Sequence, residues 1–136
     1  MSSRTAKPID VVAMLLIKGD RILVAQRVVK GSDRKLWEFP GGKVQNHESF
    51  EEALAREIHE ELEMEVRAKE HFMSVTDLLQ KVTLHTFFCQ HLSGEPKLNV
   101  HEAVSWVTIE ALHDLDMFPL DIEIAKALNH QFNSPQ

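Results

Sequence analysis

The feature that most constrains this chain of 136 residues is a change from strand-like to helical periodicity just after a glycine pair. The segment LWEFPGGK is predicted to be a short strand that ends at a proline and two glycines. Ser49 is followed three residues later by Glu52, which is the spacing of a capping box, so we expect a helix to begin at Phe50. Apolar residues recur at every fourth position from Phe50 to Leu62 and predict the buried face of this helix.

The remaining segments alternate between strand-like and helical patterns. IDVVAMLLI and RILVAQR, separated by KGD, are predicted to form a β-hairpin. Further strands are predicted in the segments MEVRAKEHFMSVTDLL, KVTLHTFFCQHL and AVSWVT. Helices are predicted in the segments IEALHDL and IEIAKALNHQF. Strands that flank and alternate with helices predict one α/β sandwich. We expect residues 1–8 to form a flexible tail and residues 9–132 to form a single domain.

Composition restricts the partners of this chain. The net charge of −6 gives no global field that would attract nucleic acid or an anionic membrane surface, so neither is expected as a partner. A single cysteine, Cys89, excludes an internal disulfide and fits a reducing, cytoplasmic setting. No segment approaches the roughly 18 apolar residues of a membrane span. We expect a monomer or a homodimer that acts on a small molecule.

Three carboxylates crowd the second half of the predicted helix. Glu57, Glu60 and Glu61 fall within an arc of roughly 100° on a helix with 3.6 residues per turn. Like charges at these spacings destabilise a helix by about 0.2–0.5 kcal/mol per pair. A glutamate-rich face is most often solvated surface, but the glycine pair in front of this helix lets backbone groups approach a ligand closely. Loop and cluster together favour a site for Mg²⁺, with Mn²⁺ as the alternative.

The spacing of these residues resembles a known family motif. Gly42, Glu48 and the segment REIHEE at residues 56–61 resemble the Nudix box of the Nudix hydrolases, G-x5-E-x7-R-E-U-x-E-E-x-G-U, in which U is aliphatic. One position departs: Glu63 stands where the family has glycine, so a residue with a Cβ must take the helix-ending position that glycine usually fills with a positive φ. The segment LWEFPGGKV resembles the MutT-like subgroup of the family.

The resemblance implies a Nudix fold, with a mixed β-sheet sandwiched between helices, and an enzyme that hydrolyses a diphosphate linked to another group. MutT-like members use water and a divalent metal to convert nucleoside triphosphates to monophosphates and pyrophosphate. The implied catalytic residues and metal ligands are Glu57, Glu60, Glu61 and Glu102, with the carbonyl of Gly41 or Gly42, and His101 is a weaker candidate base. The loop would be held to the helix by Gly42, Glu48 and Arg56. The phosphates would be contacted by Arg27 and Lys43. The base would be contacted by Phe39, Phe87, Phe88, Leu120 and Asp121.

The preferred substrate stays open among several alternatives. The leading one is a modified nucleotide such as 8-oxo-dGTP, which would make the protein a sanitiser of the nucleotide pool. A CTP or dCTP pyrophosphohydrolase, a hydrolase of other nucleoside diphosphate derivatives, and a ligand-sensing Nudix domain without catalysis are the others. Asp121 is expected either to read the base or to be the N-cap of the last helix. The complete set of box glutamates argues against the sensing domain.

Overall fold

The structure, a computed structural model, describes residues 7–133. Most of the predicted tail, residues 1–6, therefore lies outside the described residues. The strands are β1 (Ile9–Leu15), β2 (Ile17–Lys18), β3 (Arg21–Val28), β4 (Lys35–Glu38), β5 (Gly41–Lys43), β6 (Glu65–Asp77), β7 (Val82–Ser93) and β8 (Ala103–Thr108). The α-helices are α1 (Phe50–Leu62) and α2 (Pro119–Asn133), and a short 3₁₀ helix at Glu110–Asp114 stands where the sequence predicted a short helix.

The strands form two sheets. In the first sheet the order is β5-β1-β7-β6, with β1 and β7 parallel and the other pairs antiparallel. In the second sheet β3 pairs antiparallel with β2, β4 and β8. The predicted α/β class with mixed strand directions is confirmed, and the glycine pair that was expected to end a strand instead forms the edge strand β5.

The prediction of a hairpin between residues 9–17 and 21–27 is wrong except at its tip. Only Ile17 and Lys18 pair with β3, whereas β1 lies in the other sheet between β5 and β7. The reason is burial on both faces: every residue from Val12 to Leu16 is at most 2% exposed. A strand that is apolar on both faces needs cover on both sides, which a two-stranded hairpin at the surface does not give.

Two apolar cores lie on opposite faces of β1. Val12 and Met14 pack with Leu54 and Ile58 of α1 in one core. The alternate residues of β1 pack with α2 in the other core, which includes Ala13, Leu15, Ile124 and Leu128. This alternation is the period of two expected of a strand, and it places one helix on each side of the sheets. The predicted sandwich of sheet between helices is therefore confirmed.

Helix α1 begins and ends as the sequence predicts. The Ser49 side chain accepts a hydrogen bond from the Glu52 N–H, and the Glu52 side chain accepts from the Ser49 N–H, which completes the capping box. At the other end Glu63 takes the left-handed conformation with φ 55°, and its N–H donates to the His59 carbonyl. A glutamate therefore occupies the position that glycine fills in the family motif, at the conformational cost of placing a Cβ there.

Helix α2 begins earlier than the sequence predicts. Pro119 is its first residue, a position that suits proline because the fixed φ is helical and no hydrogen bond is lost. Asp121 is consequently the third residue of α2, so the prediction that it is the N-cap is wrong. Neither described helix is both long enough and apolar enough to span a bilayer.

Candidate active site

Helix α1 and strand β5 form the two walls of a cleft of about 400 Å³. Glu57 and Glu61 line it from α1, and the pair Gly41 and Gly42 lines it from β5. The two glutamates lie on the same face because they are one turn apart, and their side chains are only 16% and 12% exposed. The cleft therefore contains two largely desolvated carboxylates beside an edge strand whose outer backbone groups are outside the sheet.

The glycine pair is required by close packing on both sides of β5. A Cβ on Gly41 would lie 1.8 Å from the Val12 carbonyl oxygen of the paired strand β1. A Cβ on Gly42 would lie 2.3 Å from the Glu57 carboxyl carbon. Both contacts are far below van der Waals distance, so any side chain here would displace either the strand or the carboxylate. The missing Cβ atoms let the β5 backbone approach Glu57 directly.

Arg56 connects the helix to the loop before it. Its guanidinium donates two hydrogen bonds to Glu48, at 2.5 and 3.0 Å, and a third to the Lys43 carbonyl at 3.0 Å. The remaining nitrogen lies 3.2 Å from both Glu57 and Glu60. These hydrogen bonds lower the pKa of Glu48 and raise the pKa of Arg56 above its ordinary value. The network orients Glu57 toward the cleft, whereas the Glu60 side chain remains 56% exposed.

A second network forms the far side of the cleft. Arg27 donates from Nε to Glu38 Oε2 at 2.8 Å and from Nη2 to Glu61 Oε2 at 3.3 Å. The Nε2 atom of His101 lies 2.8 Å from Glu38 Oε2 and 3.8 Å from Glu61 Oε1. The His101 side chain is fully buried, and its Nδ1 has no hydrogen-bond partner among the described residues. Glu38, Glu61 and His101 thus surround one point, and the Arg27 head group contacts all three.

Burial sets the ionisation of these acids. It raises the pKa of Glu61 to about 7, although Arg27 and His101 act to lower it. Burial also raises the pKa of Glu57, against the opposing effect of the Arg56 hydrogen bond. The pKa of Arg27 is raised because attraction to Glu38 and Glu61 outweighs its own burial. A cation bound in the cleft would favour the ionised form of both glutamates.

Asp121 closes the inner end of the cleft. Its Oδ1 accepts a hydrogen bond of 2.8 Å from the Phe39 N–H, so α2 is joined to the segment between β4 and β5. Burial raises the pKa of Asp121 to about 8, even though the Phe39 hydrogen bond acts to lower it. A second, more apolar pocket of about 510 Å³ continues from this point, with Asp121, Phe118 and Leu120 in its lining.

The structure brings most of the sequence-predicted site residues together, but not all of them. Glu102 lies outside the cleft, because its side chain is 45% exposed and its carboxylate is 3.6 Å from Lys35 Nζ. Phe87 packs in the core beneath α1, and Phe88 packs against the α2 side of the sheet. The predicted residues that line the cleft are Arg27, Phe39, Gly41, Gly42, Lys43, Glu57, Glu61 and Asp121, and Leu120 lines the adjoining pocket.

Besides the apolar residues Val11, Ala13 and Leu84, two further residues of the cleft were not predicted from the sequence as site residues. Glu38 lies within the quoted segment LWEFPGGK, but only the pairing of β4 with β3 brings it to Arg27. Phe118 precedes the proline that starts α2 and lines both pockets. His101 was considered only as a weak candidate base, yet it, and not its neighbour Glu102, points into the cluster.

The donor set fits a divalent metal ion. Glu57 and Glu61 supply hard carboxylate oxygens. The Glu57 carboxylate occupies the space that a Cβ on residue 42 would fill. Each carboxylate contacts one arginine, Arg56 for Glu57 and Arg27 for Glu61, and a divalent ion would add further positive charge to the pair. The fold and the cleft therefore define a class of protein: an α/β/α sandwich that presents helical carboxylates to a cleft of about 400 Å³.

Comparisons with known proteins give the family. The sequence profile of the NUDIX domain matches residues 7–128. A Mycobacterium tuberculosis protein that is provisionally named 8-oxo-dGTP diphosphatase 2 is 40% identical over 126 residues, which span 88% of this chain and 89% of that one. The CTP pyrophosphohydrolase of Escherichia coli K12 is 33% identical over 123 residues, which span 89% of this chain and 91% of that one.

Solved structures agree on the fold. The solution structure of the Escherichia coli ORF135 protein superimposes with a TM-score of 0.81 at 32% identity and covers 95% of this chain and 94% of that one. The crystal structure of the MutT protein from Methanosarcina mazei Go1 has a TM-score of 0.76 at 23% identity, with 97% of this chain and 100% of that one covered. The chain therefore belongs to the Nudix hydrolase family.

Proposed function

We propose that this protein is a divalent-metal-dependent pyrophosphohydrolase that converts nucleoside triphosphates to nucleoside monophosphates and pyrophosphate. The observation that carries this proposal is the close packing of the Glu57 carboxylate against Gly42, in a cleft that Glu61 also lines. An apolar pocket adjoins that cleft and shares Asp121 with it, which suits a ligand with a charged end and an aromatic end. Hydrolysis of a phosphate anhydride is consistent with both the carboxylate cleft and the apolar pocket.

Glu57 and Glu61 are the residues that would hold the metal ion, together with a carbonyl of Gly41 or Gly42 and the more exposed Glu60. A bound Mg²⁺ or Mn²⁺ supplies neutralisation of phosphate charge and a more acidic bound water. Arg56 would keep Glu57 in its orientation through the hydrogen bond of 3.2 Å. This arrangement explains how a protein with a net charge of −6 would bind a polyanion.

Arg27 and Lys43 would contact the phosphate chain. Both line the cleft, and Lys43 is exposed at its rim. The Arg27 side chain is 33% exposed, so its guanidinium can turn from the carboxylates toward a phosphate oxygen. Arginine suits this role because its planar head group can donate two parallel hydrogen bonds.

The base would lie in the adjoining pocket, near Phe39, Leu120 and Asp121. Because the pKa of Asp121 is about 8, its carboxyl group is largely protonated at neutral pH and can donate as well as accept a hydrogen bond. We propose 8-oxo-dGTP or a similar modified nucleotide as the substrate, which fits the names of several relatives. In that case the protein sanitises the nucleotide pool.

A CTP or dCTP pyrophosphohydrolase is the second candidate. A protonated Asp121 can donate to cytosine N3, and a relative with 33% identity is named a CTP pyrophosphohydrolase. Hydrolysis of other nucleoside diphosphate derivatives has no such observation in its favour. The complete set of box glutamates in the sequence argues against a sensing domain without catalysis.

A hydrolysis panel with Mg²⁺ tests the proposal. It contains the four dNTPs, CTP, 8-oxo-dGTP, 5-methyl-dCTP and ADP-ribose, and each reaction is scored for pyrophosphate and monophosphate. A strong preference for 8-oxo-dGTP supports the sanitising role, and a preference for cytosine nucleotides supports the second candidate. Activity on ADP-ribose alone, or on none of these substrates, refutes the proposed function.

A further inference from the structure

We propose that Glu38, Glu61 and His101 form a metal site with a nitrogen ligand, and that this site binds Mn²⁺ in preference to Mg²⁺. The ligand atoms of the three side chains all lie within 4.8 Å of one another. The role of this site in turnover rests on the proposed function, whereas metal binding by these residues can be measured without any nucleotide.

The first step of the argument is the position of His101. Its side chain is fully buried, with Nε2 at 2.8 Å from Glu38 Oε2 and at 3.8 Å from Glu61 Oε1. Its Nδ1 has no partner among residues 7–133. A buried histidine with a purely structural role normally has both nitrogens hydrogen-bonded. Here one nitrogen is unpaired and the other faces two carboxylates, which is the environment of a ligand for a cation.

The second step is the positive charge already present in this cluster. Arg27 Nη2 lies 2.8 Å from Glu38, 3.3 Å from Glu61 and 3.3 Å from His101. The three side chains thus surround a cation in the structure itself, and that cation is on a side chain that is one-third exposed. Two carboxylates are only half neutralised by one guanidinium, whereas a divalent ion neutralises both. Arg27 can leave the cluster for solvent or for a phosphate when a metal ion enters.

The third step is the chemistry of the donors. Mg²⁺ favours oxygen ligands and water. Mn²⁺ takes the same carboxylate ligands but, as a first-row transition metal, also accepts an imidazole nitrogen, which suits later metals of that series such as Zn²⁺ still better. The cluster combines two carboxylates with one imidazole. By contrast, Glu57 and Glu60 both contact Arg56 Nη1 at 3.2 Å and offer oxygen alone. The chain therefore contains oxygen ligands that suit Mg²⁺ and a neighbouring cluster that suits Mn²⁺, and Glu61 belongs to both.

His85 provides a matched reference within the same chain. Its Nε2 lies 2.8 Å from Asp10 Oδ1, the same distance as between His101 and Glu38. Its Nδ1 is also paired, at 2.7 Å from Ser74 Oγ, and no second carboxylate faces it among the described contacts. His85 thus has the histidine–carboxylate contact without the cluster, which makes it the control for a purely structural histidine.

The experiment uses the full chain with Mn²⁺ alone and compares wild type with His101→Gln, Glu38→Gln and His85→Gln. Pulsed electron paramagnetic resonance of bound Mn²⁺ reports whether a histidine nitrogen is coordinated. We expect nitrogen coupling in the wild type and in His85→Gln, and none in His101→Gln. We also expect Mn²⁺ affinity to fall about tenfold in His101→Gln and Glu38→Gln, and Mg²⁺ affinity in His101→Gln to change much less.

Nitrogen coupling that persists in His101→Gln, or that disappears in His85→Gln, overturns the proposal. Unchanged Mn²⁺ affinity in both cluster variants does so as well. Urea unfolding of each variant identifies loss of folding, and Glu38→Gln tests the site if His101→Gln does not fold. Nitrogen coupling without turnover in the hydrolysis panel refutes the proposed function alone, whereas turnover without nitrogen coupling refutes only this site.

Discussion

Gly42 and Glu57 are packed so closely that residue 42 has no room for a side chain. A Cβ at this position would lie 2.3 Å from the carboxyl carbon of Glu57 and 2.5 Å from each of its oxygens. The backbone of β5 therefore fixes the carboxylate from one side, and Arg56 fixes it from the other at 3.2 Å. The position of Glu57 therefore depends both on the absence of a Cβ at residue 42 and on the hydrogen bond that Glu57 accepts from Arg56.

Gly42→Ala should lower kcat/KM by about a hundredfold, since displacing a catalytic group by about 1 Å has effects of that size. Steady-state kinetics on the preferred nucleotide measures this. Gly19→Ala is the control: it has a φ of 63° but nothing within 4 Å of the added Cβ, so it should lose about 1 kcal/mol of stability and keep its activity. Wild-type kcat/KM in Gly42→Ala would show that the close contact is irrelevant to turnover.

Replacement of the carboxylates by amides should rank them by burial. Glu57→Gln and Glu61→Gln should each reduce kcat by at least about a hundredfold, because metal-assisted charge stabilisation is worth several kcal/mol. Glu60 is 56% exposed and is bonded to Arg56, so Glu60→Gln should have a smaller effect. Circular dichroism and urea unfolding check that each variant folds. Full activity in Glu57→Gln would remove the basis for the site, and an equal loss in all three would refute the ranking.

The features that the sequence predicted correctly are those with local causes. The capping box depends on two residues three positions apart, and it sets the start of α1. The left-handed end at Glu63 follows from its place in the motif, and the structure has φ 55° there. Because a helix brings residues four apart together, the shared face of Glu57 and Glu61 also follows from spacing alone.

The features that the sequence did not predict depend on contacts between distant segments. β1 lies in a different sheet from β3 because both faces of β1 are buried. The pattern of residues within β1 alone does not reveal which strands will pair with it. His101 points into the cluster and Glu102 outward in the segment just before β8, where the Glu102 N–H donates to the Gln26 carbonyl of β3. This contact between distant segments decides which of the two adjacent side chains faces inward. Asp121 was misassigned as an N-cap because Pro119 was taken as a chain break and not as the first residue of a helix.

Stability should depend on pH through Asp121. In the folded protein its carboxyl group keeps its proton up to about pH 8, whereas in the unfolded chain it ionises near its ordinary pKa of about 4. Between these values the folded state binds more protons, so the free energy of unfolding should fall as pH rises from about 5 to 8. Asp121→Asn keeps an acceptor for the Phe39 N–H and should have a flatter profile. Urea titrations at several pH values measure both slopes, and equal slopes would contradict the assignment.

Arg56→Lys should destabilise the protein by about 1–3 kcal/mol, because an ammonium cannot reproduce the fork that contacts Glu48 twice and the Lys43 carbonyl once. It should also reduce turnover, since Glu57 loses its orienting partner. The free energy of unfolding in urea and kcat are the two readouts. Arg67→Lys, on the exposed side of β6, is the matched control and should change stability by less than about 0.5 kcal/mol. Equal effects of the two substitutions would mean that the Arg56 network has no special role.

Arg27→Gln separates the two functions of that side chain. Without nucleotide, Arg27 contacts Glu38 and Glu61 and so competes with a cation for the same oxygens. Its removal should therefore raise Mn²⁺ affinity several-fold, because the carboxylates lose their internal partner. With nucleotide, the same variant should raise KM, since a phosphate contact is lost.

Arg21→Gln is the control for Arg27→Gln: Arg21 lies near the other end of β3 and is 57% exposed, so its replacement should change neither Mn²⁺ affinity nor KM. Calorimetric Mn²⁺ titration and steady-state kinetics test the pair of effects, and weaker Mn²⁺ binding in Arg27→Gln would show that Arg27 supports the metal site instead of competing for it.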